Sequence, residues 1–563
     1  MIFEIVVFWL ILSTVFFGLG AAARYLCRWP MRDILNDVWL GWAIGIVVLQ
    51  IWNIFLPVDW CAFACLGVIG GVGLIITRKE VISIVRGVNL IGWSLTVLLC
   101  ACWLAIHTGN QIVNPDSGLY HLNSVRWAKE YAIVPGLGNL HGRLAFNQSY
   151  FLYVALLDIG PFSHKSHQLA SGLLILWTLL RSFRALSLLA SKNKAFAPWH
   201  LFDALMVVPV IQYVVYSENA SSPTPDTGVF VLGILVASEL MRFLGKEEGG
   251  KNKGNDHFSQ IIPLVLIAIV GITVKLSFAA VALTTISLFL YGGVKKSGVR
   301  GSVGLGMAVM ACGVLVLVPW IIRGVVLSGY PAYPSTIGAF PVDWRVPIEY
   351  AHRDSELIRM WPWKMGGGIP AEYVNTIKGY WRMIMYVGRR LQDTVIVPLA
   401  LSVAGIVCGA WIRSSQKKPV SCFKSSYFIM PLAGLVYCFI MAPDPRFAGS
   451  AFWLLGMGAV VWAVVGLDRR GSVMSVIFIN TLLFAHQIVV IEFMWPGTRD
   501  SGPAKTVHVI ERTTNSGLHV FVAPSEEGGL PWDSPLPATD WFNPRLELRV
   551  PVDIAAGFKL QAK

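Results

Sequence analysis

In 563 residues the chain carries 55% hydrophobic and only 14% charged side chains, with a mean hydropathy of +0.62. That composition belongs to a polytopic membrane protein whose solvent is largely hydrocarbon, and its unbroken apolar runs exclude an outer-membrane barrel, whose strands alternate in short segments. The formal net charge of +13 follows from basic loops and their attraction to an anionic inner leaflet, with no need to invoke nucleic acid.

Apolar runs of about 16 to 23 residues match the roughly 20 that a helix needs to cross a bilayer core. The predicted spans are, in order, Phe3 to Ala23, Trp39 to Leu56, Trp60 to Thr77, Leu90 to His107, Leu169 to Ala190, His200 to Tyr216 and Thr227 to Leu244. They continue with Ile261 to Val274, Phe278 to Val294, Val303 to Ile322, Arg390 to Ile412, Tyr427 to Met441, Phe447 to Leu467 and Val473 to Phe493. The expected fold is therefore an all-α polytopic membrane protein of about fourteen transmembrane helices. In the first run the basic residues follow the apolar stretch and none precede it, which reads as a retained helix and not as a cleaved signal peptide.

Orientation follows from Lys and Arg in the short loops. An outside N-terminus puts Arg24, Arg28 and Arg32, Arg78, Lys79 and Arg86, Arg184, Lys192 and Lys194, and Arg242, Lys246, Lys251 and Lys253 inside. It also puts Lys295, Lys296 and Arg300, Arg413, Lys417, Lys418 and Lys424, and Arg469 and Arg470 inside. The short outer loops keep only Lys275 and Arg446. Tyr150 to Phe162 is apolar but too short to cross; counting it would invert every later loop, so it is expected to lie in the outer interface beneath the polar loop. The nine cysteines fall in spans or on inner-side segments, Cys422 among the latter, and predict free thiols with no disulfide or zinc site.

Three outer regions are large enough to build a site: Thr108 to Gln168, Leu327 to Arg389, and the tail from Trp495 to Lys563. The tail, rich in Pro, Trp and turn residues with short β-like pieces at Leu518 to Val522 and Leu546 to Val550, is expected to form a small outer cap of little regular structure. In the first loop Asp116 precedes an amphipathic stretch, Leu119 to Tyr131. It reads either as a helix cap or as a general base kept ionised at a helix N-terminus. Asp226, at the end of SENASSPTPD, carries the same two readings. Asp116, Asp226, Lys275, Arg323 and Arg446 all fall at outer ends of different spans, where ionisable groups default to a functional hypothesis. Snorkelling to the headgroups is the alternative for each cation. Arginine forks and a lysine point charge suit phosphate oxygens.

With these pieces the chain resembles the GT-C superfamily of polytopic glycosyltransferases. The matching elements are Asp116 in the first large outer loop, SSPTPD before Asp226, Val274-Lys275-Leu276 at a span end, PWIIRGVVLSGYPAYP around Arg323, Tyr330 and Tyr333, and PDPRF around Arg446. The resemblance covers roughly Leu90 to Leu467 and implies three extra helices over 1–89, a GT-C-like core with outer juxtamembrane helices over 90–494, and the cap over 495–563. It implies transfer of a sugar from a polyprenyl-phosphate donor to a glycan, lipid or protein acceptor, with inversion, on the outer side of a bacterial cytoplasmic membrane. Asp116 and Asp226 would be catalytic, Asp116 as the base. Lys275, Arg323 and Arg446 would hold the donor phosphate, and Tyr120, His121, Trp127, His141, Tyr330 and Tyr333 would shape the pocket. Many relatives have two adjacent acids where this loop has Asp116 followed by Ser117, so metal dependence stays open, and a divalent cation is the one cofactor raised. The rival classes are a transporter, which should show repeats and broken midplane helices, and a lipid-linked glycan polymerase or ligase.

Overall fold

The computed structural model describes residues 1–29, 33–86, 89–191, 196–217, 219–245, 255–365, 376–379, 381–382, 392–415, 424–490, 504–524 and 528–561. Of the residues named above, Arg32, Lys192, Lys194, Lys246, Lys251, Lys253, Arg389, Arg390, Lys417, Lys418, Cys422, Phe493, Trp495 and Lys563 lie outside them.

Among the described residues, ten helices are long and apolar enough to cross a membrane, and three further apolar helices are shorter. The chain is thus a helical, membrane-integral protein. It opens with α1 (Ile2–Leu26), α2 (Ile34–Phe55), α3 (Trp60–Arg86) and α4 (Leu90–Thr108). A polar loop follows, holding α5 (Leu122–Glu130) and α6 (Tyr150–Leu156). Then come α7 (His167–Ala190), α8 (Pro198–Leu205), α9 (Val207–Tyr216), α10 (Pro225–Gly245), α11 (Asn255–Val274) and α12 (Ala279–Ser328). Beyond them lie α13 (Ile348–Met365), α14 (Val397–Ser414), α15 (Ile429–Met441), α16 (Ala451–Val464) and α17 (Arg469–Val490).

The first helices are integral to the bundle. Between lipid-embedded helices, association depends on close packing, because lipid tails are as apolar as the side chains. A Cβ on Gly20 would stand 1.9 Å from the Asp37 carbonyl oxygen, and one on Gly41 would stand 1.7 Å from that of Phe16, so only glycine lets α1 and α2 approach this closely. The Trp9 indole of α1 donates to the Leu169 carbonyl of α7 at 2.9 Å, and Trp39 of α2 meets Trp177 of α7 edge-on at 5.3 Å.

Three elements differ from expectation, each for a physical reason. The stretch from Tyr150 is not an interfacial helix: α6 is buried on every side, wedged among α2, α5, α7 and α10. It has no polar face to offer water, and an interfacial helix needs one. The span His200 to Tyr216 is interrupted after Leu205. Pro209 lacks an N–H and its ring crowds the carbonyl four residues back, which is that of Leu205. The two spans Phe278 to Val294 and Val303 to Ile322 join into the 50-residue α12. Straight, that helix would run about 75 Å, yet Ser277 before it and Tyr333 after it line one cavity. The run therefore doubles back between its apolar halves, Leu276–Val294 and Gly301–Ser328.

At the end of α10 away from its first turn, Arg181 donates to Asp203 at 2.9 Å, to Glu239 at 2.6 Å, to Ser238 at 2.9 Å and to Asn36 at 2.9 Å, with Arg24 paired to Asp37 nearby. These buried ions satisfy one another across α1, α2, α7, α8 and α10, the condition under which charge is tolerated inside a bundle. Asp226, in the first turn of the same α10, lies about 20 Å from Glu239 by helix rise. Two ionic clusters thus sit near opposite ends of the bundle.

The tail is more regular than expected. It forms β1 (Ile510–Thr513), β2 (His519–Val522) and β3 (Ala538–Thr539) in one sheet, and β4 (Leu546–Val550) with β5 (Asp553–Leu560) in a second. The first pair is antiparallel, β2 and β3 are parallel, and β4 and β5 form an antiparallel hairpin. The tail docks on the polar loop through backbone bonds, Trp532 N–H, between β2 and β3, to the Gly118 carbonyl at 2.8 Å and Phe558 N–H of β5 to that of Pro135 at 2.9 Å. A Cβ on Gly118 would meet the Trp532 ring at 2.6 Å, so the glycine of DSGLYH is what lets the tail seat there.

Candidate functional site

Asp116 stands where the loop turns into Ser117–His121, just after Pro115. The cap reading predicts a bond from its carboxylate to the backbone of the next turn. No such bond forms. Oδ1 accepts instead from Arg143 Nη1 at 3.0 Å, and Oδ2 from Arg446 Nη1 at 3.1 Å. The carboxylate therefore joins the first loop to the turn Pro445–Ala448, which Asp444 shapes by accepting from the Arg446 backbone N–H at 2.9 Å.

Asp226 is ion-paired with Lys275, which occupies the break between α11 and the turn Leu276–Phe278. The two pairs meet across one ring: Lys275 Nζ lies 4.7 Å and the Arg446 guanidinium 5.0 Å from the centre of Phe447. The Arg143 guanidinium lies 5.6 Å from the ring of Tyr120. Charge attracts to an aromatic face, so these rings hold the cations in place without neutralising them.

All of these groups line a cavity of about 880 Å³. On this wall three cations (Arg143, Lys275, Arg446) face two carboxylates (Asp116, Asp226), leaving one positive charge for an anion. α13 adds His352, Glu356 and Arg359, spaced i, i+4, i+7 on one helical face, to the lining. Apolar side chains form part of the exposed lining: Ile337, Leu357, Trp361, Ile440 and Met441 are exposed there, beside the exposed polar Ser335, His352, Ser355, Glu356 and Arg359. Charged and apolar side chains share one opening.

Burial pushes the Asp116 carboxyl up, but Arg446, with His121, Arg143 and Lys275 behind it, outweighs burial and holds it below the ordinary carboxylate range. Asp116 is thus ionised at neutral pH. Burial lowers the His121 imidazole to about 4, so His121 is neutral there. Its Nδ1 lies 3.2 Å from Ser117 Oγ, which bonds Ser222 Oγ at 2.6 Å.

That shift carries a stability prediction. A lowered folded-state pKa gives stability that is complete above the unfolded value near 6.5 and is lost as pH falls toward 4. His121, only 2% exposed, should contribute on the order of 3 kcal/mol to this loss. Thermal unfolding between pH 7 and 4.5 should show a smaller acid shift for His121→Phe than for the unaltered chain. Equal acid shifts would remove His121 from that role.

The cavity gathers Asp116, Asp226, Lys275, Arg446, Tyr120, His121 and Tyr333 from the predicted set. Tyr333 donates to Asp354 at 2.6 Å. Four residues are elsewhere. Arg323 is buried behind the loop, donating to Asn53 at 2.6 Å. Tyr330 donates to the Val346 carbonyl at 2.9 Å beneath the second loop. Trp127 packs on Phe558 of the tail at 5.8 Å, and His141 Nε2 stands 3.0 Å from Asp540 of the tail. The last two are docking contacts, produced by a cap whose landing place had no sequence mark. Sequence reasoning left Arg143, Phe447, Glu356 and Arg359 unassigned. Arg143 lay within the polar loop as a cation on no span end, where snorkelling offers no explanation for it.

A divalent cation does not fit these residues. Both oxygens of Asp116 are taken by arginines, and among the described residues no three His, Cys, Asp or Glu side chains are grouped to ligate one.

A protein-family model matches residues 1–453, about four-fifths of the chain. The chain belongs to the family described as a domain of unknown function, DUF8201. Every charged residue of the cavity, from Asp116 to Arg446, falls within the DUF8201 match, whereas the sheets of the tail fall beyond it. No curated protein and no solved structure matches the chain.

Proposed function

We propose that this DUF8201 chain is an integral-membrane glycosyltransferase of the GT-C type, moving a sugar from a polyprenyl-phosphate donor to an acceptor hydroxyl. The observation that carries this reading is the ionised Asp116, gripped by Arg143 and Arg446 in the wall of a cavity whose lining also includes exposed apolar side chains. A polyprenyl-phosphate sugar has the same two kinds of surface: a polar head, one phosphate charge and a long apolar tail. The ten long helices, the three shorter ones and α17 would make fourteen crossings, with basic loops toward the cytoplasm and the cavity on the outer face of a bacterial membrane.

The chemistry follows from the charges. The acceptor oxygen attacks the anomeric carbon from the side opposite the phosphate, giving inversion, while Asp116 accepts the hydroxyl proton. The bond from that carbon to the phosphate oxygen breaks, and polyprenyl phosphate leaves with the electron pair. Lys275 and Arg446 stabilise the charge growing on it, the contribution that preorganised cations make best. The donor phosphate and Asp116 compete for Arg446. As the phosphate draws that cation off, Asp116 loses the main influence lowering its pKa and becomes a better base in the loaded site than in the free one.

A screen of polyprenyl-phosphate sugars with the purified chain in lipid nanodiscs and a membrane extract as acceptor tests the reading. One donor class should be consumed with release of polyprenyl phosphate. A panel in which no donor either binds or turns over would remove the proposal.

A further inference from the structure

Arg323 is the cation that the main cavity leaves out. It belongs to the last turns of α12 and is 6% exposed. Among the described residues it has one hydrogen bond, Nη1 to Asn53 Oδ1 at 2.6 Å, and no carboxylate pairs with it. Asn53 itself is committed, its amide donating to the carbonyls of Leu56, Ala128 and Tyr131. A guanidinium cannot shed its proton. A full positive charge is therefore buried against a neutral amide, and an uncompensated buried ion is strongly unfavourable.

Beside Arg323 lies a second, much smaller cavity of about 40 Å³, lined also by Trp127, Asn147, Gln148 and Arg143. Two buried donors on its lining residues, Arg323 Nε and Trp127 Nε1, have no partner. Two buried acceptors, Asn147 Oδ1 and Gln148 Oε1, have none either. Arg143 is answered by Asp116 at 3.0 Å, so the charge left over belongs to Arg323. Buried polar groups are normally satisfied, and four orphans on the residues around one hole, with an unanswered cation among them, mark a place built for an occupant.

We propose that this cavity binds a small inorganic anion of halide size, held by the Arg323 guanidinium and the Trp127 indole N–H. A water needs about 10–15 Å³ of such space, so the cavity takes one ion with a water or two and is far too small for a phosphorylated sugar. The accompanying water donates to Asn147 Oδ1 or Gln148 Oε1, which gives the acceptors a partner that the anion cannot be. Through Asn53 and Trp127 the ion ties the end of α2, the polar loop and α12 together. Its consequence is stability of the loop that carries Asp116 and Arg143, independent of which reaction the large cavity performs.

Halide dependence of unfolding tests this on the full chain in zwitterionic nanodiscs, with chloride or bromide exchanged for gluconate at constant ionic strength. The melting midpoint should rise with halide and saturate, by several degrees, because a ligand bound only by the folded state stabilises it. Arg323→Met should lose the response, and Trp127→Phe, which keeps a ring but removes the donor, should raise the half-saturating halide about tenfold. Identical midpoints in chloride and gluconate would overturn the proposal, as would a wild-type response in Arg323→Met. Should Arg323→Met fail to fold, an unchanged half-saturating halide in Trp127→Phe overturns it equally.

Discussion

Asp116→Asn should lower turnover of the donor identified in the screen by about a thousandfold, within the 10² to 10⁴ that a positioned base contributes, while leaving donor binding nearly intact. Asparagine keeps the size of the side chain and one oxygen that can accept from Arg143 or Arg446, both now within 3.1 Å. What it removes is the site for the proton. Asp116→Ala supplies the complementary readout: added formate should restore part of the turnover, because a small carboxylate can enter the space left on the cavity wall. The unfolding midpoint separates lost chemistry from lost structure, and a variant that melts like the parent yet is inactive assigns the effect to the reaction. Turnover by Asp116→Asn equal to that of the parent would remove Asp116 as the base.

The membrane class was fully legible in the sequence, because a bilayer imposes one length and one polarity on every crossing. Legibility failed where a segment answered to protein neighbours instead of lipid. Tyr150 to Phe162 is too short to cross, which points to the interface, but the apolar faces of α6 suit a plug inside the bundle, where it is found. The site was partly legible for the same reason in reverse. Charges at span ends are costly, so Asp116, Asp226, Lys275 and Arg446 stood out one by one, and topology alone placed them on a common side. Arg323 stood out by the same rule and yet points to a separate cavity, because a span end specifies depth along the bundle and nothing about position around it. Trp127 and His141 stand outside the large cavity, held by partners, Phe558 and Asp540, that come from more than 390 residues later in the chain. No local periodicity carries such a pairing.

Arg446→Ala should give the second large effect, and its form distinguishes the proposed roles. Loss of a preorganised cation facing developing charge costs about 10² to 10³ in rate, so kcat/KM should fall by that order, with KM for the donor raised as well. Arg446→Lys should recover only part of this, since an ammonium replaces a fork by a point charge. The pH profile carries the sharper test. In the parent chain burial pushes Asp116 up and Arg446 is the largest influence pulling it down. The net direction is down, so the acid limb of kcat/KM should lie below the ordinary carboxylate range near 4. Without Arg446, burial gains ground and the Asp116 pKa rises. A base is active when deprotonated, so activity should then be lost at a higher pH as the medium is acidified, and the acid limb should move toward neutrality. Arg143→Ala should move it the same way but less, since Arg143 ranks below Arg446 among the influences on Asp116. An acid limb that stays in place when Arg446 is removed would mean that the group titrating in the reaction is not Asp116, whatever the loss in rate.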